Sequence, residues 1–149
     1  MAIPQFGRPL PGRDHKPRPG AYAIVLNALR ELLVVEEDGR LYLPGGGLDP
    51  GESPEQALHR EFLEETGYRV VIDRCLGQAN EYVADETPNT AFNKHCLFFA
   101  VTLAGGSGVP AIATNHPRWV PVPEALSTLS NAAHRWAVRR GLNLPEDGA

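Results

Sequence analysis

The sequence predicts one domain of the α/β or α+β class, in which helices pack on a β-sheet as a sandwich. The chain has 149 residues, which is the usual length of a single domain. Short apolar, β-compatible runs alternate with helical patterns along the chain. No internal repeat and no change of composition marks a second domain. Strands and helices in this order predict layered packing around one core.

Residues 1–19 predict an irregular, basic arm because they contain five prolines. Proline removes a backbone donor and favours an extended chain, so we expect regular structure to begin near Gly20. The first twenty residues carry four Lys or Arg residues and one acid. Such an arm could cover a sheet edge or contact a phosphate, or it could be a solvated tail. We expect one ordered domain over residues 20–142 and a frayed end over residues 143–149.

Several short segments have the composition of strands. Residues 21–27 and 31–37 are apolar runs separated by a short break, and we expect them to pair as a hairpin. A short strand over residues 41–43 stops at Pro44. The remaining predicted strands cover residues 68–72, 77–83, 94–103 and 118–122, and the later helices cover residues 123–129 and 131–140.

One helix has clear start and stop signals. Ser53 is a good N-cap, a proline follows at the first helical position, and Gln56 can close a capping box with Ser53. Gly67 is suited to end the helix in the left-handed conformation. The predicted helix covers Pro54–Thr66, and a glycine-rich loop at Gly45–Gly47 precedes it.

Three carboxylates lie together on this predicted helix. At about 100° per residue, Glu61, Glu64 and Glu65 fall within roughly one third of the circumference. They repel one another, and Arg60 can screen only part of that charge. Carboxylate oxygens suit hard cations such as Mg²⁺ or Mn²⁺. The alternative is a solvated acidic face, but acids in the last turns oppose the helix dipole, and such a local cost often marks function.

The stretch from Gly46 to Tyr68 follows a longer pattern, G-x5-E-x7-R-E-U-x-E-E-x-G-U, where U is a bulky apolar residue. Tyr68 fills the last position with an aromatic ring. The chain therefore resembles the Nudix hydrolase superfamily, in its MutT-like form. The resemblance implies a Nudix-type α/β/α sandwich with a central mixed β-sheet. The fixed positions are all matched, by Gly46, Glu52, Arg60, Glu61, Glu64, Glu65 and Gly67.

The resemblance also implies roles for these residues. Glu61 and Glu65 would be the main metal ligands, and Glu64 would be a ligand or the general base. The carbonyl of Gly45 or Gly46 would complete the coordination. The remaining charged pair, Glu52 and Arg60, would orient the loop against the helix.

The general base could instead lie outside the Nudix box, which is the pattern from Gly46 to Tyr68. Some members of the family use a further glutamate from the loop before a tryptophan-containing strand, but residues 114–119 contain no carboxylate. His116 in that loop could be a base or a phosphate contact, or an ordinary loop histidine. Glu81 and Glu86 are other carboxylates that could reach the metal, and we place Glu81 ahead of Glu86 because it lies on a predicted strand.

The activity implied by the resemblance is hydrolysis of the diphosphate linkage in a nucleoside diphosphate joined to a second group. Mg²⁺ would be the cofactor, with Mn²⁺ as a substitute, and a monophosphate would be released. A nucleotide-binding or sensor module without turnover is the alternative, and an isopentenyl diphosphate isomerase is a third hypothesis. A base could stack on an aromatic ring, although such rings are more often core; the candidates are Tyr22, Phe92, Phe98 and Trp119.

Composition limits the kinds of molecule that we expect this protein to bind. A net charge of −4 argues against binding of duplex nucleic acid, which usually needs a basic surface. It does not exclude a small nucleotide substrate, because a bound cation can supply positive charge locally. No apolar run approaches the length of a membrane span, and no signal peptide is visible, so we expect a cytoplasmic protein. Cys75 and Cys96 then stay reduced. Strand edges on the surface are compatible with a homodimer.

Overall fold

The computed structural model describes residues 2–84 and 91–146. Eight strands and three helices follow one another along this part of the chain. The helices are α1 (Pro54–Thr66), α2 (Val122–Thr128) and α3 (Ala132–Gly141). The strands are β1 (Gln5–Phe6), β2 (His15–Ile24), β3 (Glu31–Glu37), β4 (Arg40–Tyr42), β5 (Gly45–Gly47), β6 (Tyr68–Ala84), β7 (Ala91–Gly106) and β8 (His116–Pro121).

The strands form two sheets. The larger sheet has the order β1-β6-β7-β2-β5, and the smaller has the order β4-β3-β8. In the larger sheet β7 runs parallel to β2 and antiparallel to β6, so the predicted mixed central sheet is confirmed. The smaller sheet is antiparallel throughout.

Helices cover the larger sheet on both faces, as the alternation along β2 demonstrates. Ala21, Ala23 and Val25 belong to a buried cluster that includes Leu58 and Phe62 of α1. The alternate residues Tyr22 and Ile24 belong to a second cluster that includes buried residues of α2 and α3. Successive side chains of a strand point to opposite faces. The sheet therefore lies between α1 and the α2–α3 pair, and the predicted α/β/α sandwich is confirmed.

The prediction of an irregular arm over residues 1–19 is wrong for two segments. Gln5–Phe6 pairs in parallel with β6 at the end of the larger sheet, so the arm covers a sheet edge. β2 begins at His15, five residues before Gly20. Its first half pairs with β7 alone, since β5 joins only at Gly20. A strand with one neighbour can accommodate prolines, because their missing N–H groups face away from the ladder.

The predicted hairpin between residues 21–27 and 31–37 is also wrong. The two strands meet only near their turn, where Leu26 bridges Leu32, and then enter different sheets. Two further predictions change in detail. The glycine-rich loop at Gly45–Gly47 is a short strand beside β2. The two strands expected over residues 68–83 form one strand, Tyr68–Ala84, with register shifts in its middle.

Helix α1 has the predicted limits, and its caps are those expected from the sequence. Ser53 Oγ accepts the Gln56 N–H at 3.1 Å, and Gln56 Oε1 accepts the Ser53 N–H at 2.9 Å. Gly67 ends the helix with φ of 75°, and its N–H donates to the Leu63 carbonyl. The buried residues Leu58 and Phe62 fix the helix on the sheet.

The last described residues continue from α3 without a further helix or strand. The Leu144 N–H donates to the Arg139 carbonyl at 2.8 Å, so residues 143–146 begin with a fixed turn, and residues 147–149 lie outside the described part of the chain. Among the residues that the structure describes, no helix is long and apolar enough to cross a membrane.

The capping box predicts a measurable stability effect. Replacing Ser53 by Ala removes the oxygen that accepts the Gln56 N–H, and we expect the free energy of unfolding to fall by about 1 kcal/mol in urea titrations. Ser127→Ala is the matched control, because this exposed serine of α2 bonds only the carbonyl of its own turn among the described contacts. Equal stability losses in the two variants would contradict the capping role of Ser53.

Candidate active site

The site forms where β5 meets the C-terminal half of α1. β5 is held antiparallel to β2, with Ala21 opposite Gly46. The Glu61 carboxylate lies against the Gly46 backbone. A Cβ atom added at Gly46 would lie 2.6 Å from Glu61 Cδ and 2.8 Å from Glu61 Oε2. Only glycine allows this approach, so the glycine of the motif at position 46 has a steric cause.

Glu65 lies one helical turn beyond Glu61 and meets the same loop. Its Oε1 accepts the Gly45 N–H at 2.7 Å. Burial, together with the negative charges of Glu61, Glu37 and Glu64, raises the pKa of Glu65 to about 8 against the opposing effect of that hydrogen bond. Glu65 is therefore a partly buried carboxyl group in a strongly negative environment.

Arg60 is the cation shared by the surrounding carboxylates. It binds Glu52 through two hydrogen bonds of 2.8 Å each, so the predicted ion pair is present. Its Nη2 also donates to the Gly47 carbonyl at 3.0 Å, and its Nη1 donates to Glu61 Oε1 at 2.9 Å and lies 3.4 Å from Glu64 Oε2. One guanidinium thus connects the glycine strand, Glu52 before the helix, and two of the three clustered helix glutamates, Glu61 and Glu64.

The pKa values of Glu52 and Glu61, which both contact Arg60, shift in opposite directions. The Arg60 hydrogen bond, assisted by the Asp49 N–H, lowers the pKa of Glu52 to about 2. Burial raises the pKa of Glu61 above its ordinary value although Arg60 opposes that shift. Glu52 is therefore a fully ionised structural partner, whereas Glu61 is a partly buried carboxylate with incomplete charge compensation.

The chemistry of these donors fits a hard divalent cation. The available atoms are carboxylate oxygens of Glu61, Glu64 and Glu65 and carbonyl oxygens of the glycine strand, which are the donors that Mg²⁺ and Mn²⁺ prefer. Within residues 2–84 and 91–146, however, no three acidic, His or Cys side chains already converge as a metal-binding group. Arg60 stands between Glu61 and Glu64 as their counter-charge.

Glu81 has a different role from the one that its position in the sequence indicated. It lies on β6 and is buried, but its Oε1 accepts the Ala133 N–H at 2.8 Å and its Oε2 lies 3.5 Å from Asn131 Nδ2. These contacts place the carboxylate at the start of α3, where Asn131 itself makes no side-chain capping bond. Glu81 therefore caps α3 from a neighbouring strand, a long-range contact that no local pattern could predict.

The other predicted candidates lie outside the box. His116 is exposed at the start of β8, opposite Glu36, and makes no side-chain hydrogen bond or ion pair with the described residues. Glu86 lies outside the described residues. Asn115, which the sequence did not single out, is buried in the loop before β8, and its Oδ1 has no partner among the described atoms.

A cavity of about 420 Å³ is lined in part by Arg18, which also approaches the glycine strand. A Cβ atom at Gly47 would lie 3.5 Å from Arg18 Nε. The same guanidinium stacks on Phe92, with its Cζ 4.9 Å from the ring centroid. The cavity combines cations, aromatic rings and amide or hydroxyl groups; its lining includes Arg18, Arg40, Tyr42, Glu81, Phe92, Lys94, Ser130 and Asn131.

Of the four aromatic residues considered for base stacking, Phe92 is the one that lines this cavity. Tyr22 and Phe98 are buried in the core on the α3 side, and Trp119 packs against the core on the α1 side. The sequence did not identify Arg18, Lys94 or Asn131, because they come from three separate elements. For Arg18, the sequence offered one indication, the basic character of residues 1–19.

Known proteins match this chain in sequence and in fold. A "Putative 8-oxo-dGTP diphosphatase" of Bacillus subtilis (strain 168) is 38% identical over 103 residues, which are 68% of this chain and 64% of that protein. An "8-oxo-(d)GTP phosphatase" of Mycolicibacterium smegmatis is 32% identical over 70% of this chain and 31% of its own length. The chain thus spans less than two thirds of each of these relatives.

A MutT protein from Methanosarcina mazei Go1 shares the fold, with a TM-score of 0.70 at 24% identity over 87% of this chain and 96% of that one. The NUDIX domain model matches residues 16–140, which include the box, both sheets' central strands and most of α3. The predicted resemblance to the Nudix superfamily is confirmed, and this chain belongs to the NUDIX domain family.

Proposed function

We propose that this protein is a metal-dependent Nudix pyrophosphohydrolase that cleaves the diphosphate linkage of a nucleoside diphosphate joined to a second group. The observation that carries the proposal is the contact of Glu61 and Glu65 with the glycine strand Gly45–Gly47. This contact brings two partly buried carboxylates, whose negative charge is incompletely compensated, against the backbone of the glycine strand.

The proposed roles follow from the contacts. Glu61 and Glu65, with a carbonyl of Gly45 or Gly46, would hold Mg²⁺ or Mn²⁺, and Glu64 would be a further ligand or the general base. When bound, such a cation neutralises phosphate oxygens and acidifies water. Glu52 holds Arg60, which keeps the loop on the helix through the Gly47 carbonyl.

The hydrolytic step needs a proton acceptor. The water oxygen bonds to phosphorus, the bridging P–O bond breaks, and a carboxylate takes the proton, a contribution typically worth about 10²–10⁴-fold in rate. Glu64 is our candidate because its side chain is more exposed than that of Glu61 (38% against 20%) and so is accessible to water. A monophosphate leaves as one product.

The cavity supports a nucleotide as the substrate. Phe92 and Tyr42 supply aromatic faces, Asn131 supplies an amide, and Arg18 and Lys94 supply positive charge. Two relatives bear names that refer to 8-oxo-dGTP or 8-oxo-(d)GTP, so oxidised guanine nucleoside triphosphates are the first substrates to test. A small substrate, a cytoplasmic location and a homodimer remain predictions.

Glu65→Gln tests the site directly. The substitution keeps an oxygen that can accept the Gly45 N–H but removes the negative charge, so we expect the fold to persist and Mg²⁺-dependent release of monophosphate to be abolished. The assay measures phosphate products from a panel of nucleoside triphosphates, 8-oxo-dGTP and sugar nucleotides, each with Mg²⁺ or Mn²⁺. Glu55→Gln is the matched control, because Glu55 is an exposed acid in the first turn of the same helix.

Unchanged turnover in Glu65→Gln would contradict the site assignment. Tight nucleotide binding by the wild type with no hydrolysis anywhere in the panel would support the alternative of a binding or sensor module.

Gly46→Ala tests whether activity needs the close approach of the Glu61 carboxylate to the Gly46 backbone. The added methyl group would displace the Glu61 carboxylate, the flexible end of a side chain, so we expect the protein to fold and kcat to fall by about 10–100-fold. Gly47→Ala is the control, because its Cβ would meet Arg18 at an ordinary contact distance of 3.5 Å. Equal kcat values in the two variants would show that Glu61 need not lie against Gly46.

A further inference from the structure

His134 of α3 contacts the chain just before the box. It is buried, and its Nδ1 accepts the Leu43 N–H at 3.1 Å across 91 positions of sequence. Aromatic rings surround it: the ring centroid of Tyr22 lies 4.5 Å away, that of Phe98 5.7 Å and that of Tyr42 6.4 Å. The imidazole is therefore held in one orientation by packing, with one nitrogen directed at a backbone amide.

The His134 ring accepts the Leu43 hydrogen bond throughout the neutral pH range. Burial, followed by the positive charges of Lys94 and Arg135, lowers the pKa of His134 to about 3. A neutral imidazole that accepts at Nδ1 carries its proton on Nε2. The Leu43 contact thus does not depend on pH in the neutral range.

Leu43 begins a run of three residues that different elements fix in turn. The Leu43 N–H is held by α3 through His134. The Pro44 carbonyl accepts the Ala23 N–H of β2 at 2.9 Å. The Gly45 N–H donates to Glu65 of α1 at 2.7 Å. Because consecutive Cα atoms are about 3.8 Å apart and bond lengths are fixed, a shift of Leu43 moves the Gly45 N–H relative to the Glu65 carboxylate.

The position of His134 is itself fixed by a contact with the central sheet. Glu81 of β6 accepts the N–H of Ala133, the residue directly before His134. The central sheet therefore sets the position of His134, and His134 sets that of Leu43. An apolar side chain could fill the same space in this cluster, which is otherwise mainly apolar, but it would leave the buried Leu43 N–H without an acceptor.

We propose that His134 is a positioning residue for the hydrolytic site, which acts through Leu43 to hold the Gly45 N–H against Glu65. The inference rests on the proposed function and extends it to a helix that contributes no residue to the box. His134 touches neither the box glutamates nor, in this account, the substrate. We expect a substitution at His134 to lower kcat, the rate at saturating substrate.

The test compares two substitutions at this position. His134→Asn keeps an acceptor atom near the place of Nδ1, whereas His134→Leu keeps the bulk and removes the acceptor. We expect His134→Leu to lower kcat by about 10–100-fold with little change in KM, and His134→Asn to recover most of that loss. His15→Leu is the matched control, because His15 Nε2 also accepts a backbone N–H, that of Leu10, at 3.1 Å, but lies on β2 five residues before Gly20, where β5 begins to pair; we expect its kcat to be unchanged.

Amide hydrogen exchange and ¹H–¹⁵N NMR spectra give a readout that does not depend on turnover. In His134→Leu the Leu43 and Gly45 amides should exchange faster and change chemical shift, and in His134→Asn they should resemble the wild type. If His134→Leu does not fold, His134→Gln takes its place, since its longer side chain carries the amide beyond the position of Nδ1.

The outcomes separate the two proposals. Equal kcat values for His134→Leu and the wild type, or equal losses in the Leu and Asn variants, would overturn the positioning role. If the wild type hydrolyses no substrate, the proposed function fails, and the Gly45 amide decides the positioning role by itself: an altered Gly45 signal in His134→Leu supports it, and an unaltered signal overturns it.

Discussion

Arg60 is the positive charge on which the arrangement of the acidic half of α1 depends. Its bidentate pair with Glu52 and its bond to the Gly47 carbonyl tie the glycine strand to the helix. The same guanidinium reaches Glu61 and Glu64. It makes no hydrogen bond or ion pair with Glu65 among the described contacts, and Glu65 bonds the Gly45 N–H instead. One cation thus organises the site but leaves its negative charge incompletely compensated.

The incompletely compensated negative charge of the site indicates its chemical role. Carboxylates in the last turns of a helix oppose its dipole, and burial adds a desolvation cost that raises the pKa of Glu61 and of Glu65. A protein selected for stability alone would gain from replacing such residues, so the cost is best understood as a requirement of function. A hard cation would relieve it, and a phosphorylated substrate could then approach a protein whose overall charge is negative.

Local signals in the sequence were sufficient for the parts of the fold that are local. The limits of α1, its capping box and its Gly67 terminus follow from neighbouring residues, and the box spacing identified the family. Contacts between distant segments were not predictable in this way. The entry of β3 into a second sheet and the strand pairing of Gly45–Gly47 depend on which segments meet in space. The same is true of Glu81 and His134, whose partners lie 52 and 91 positions away.

We propose that Glu61, Glu65 and the glycine strand bind a divalent cation. Crystals grown with Mn²⁺ and measured for anomalous scattering test this binding. We expect an anomalous peak bounded by the carboxylates of Glu61 and Glu65 and the backbone of Gly45 and Gly46. A well-ordered site without that peak, in crystals that also contain a nucleotide, would contradict it, and so would a single peak at another group such as Glu81.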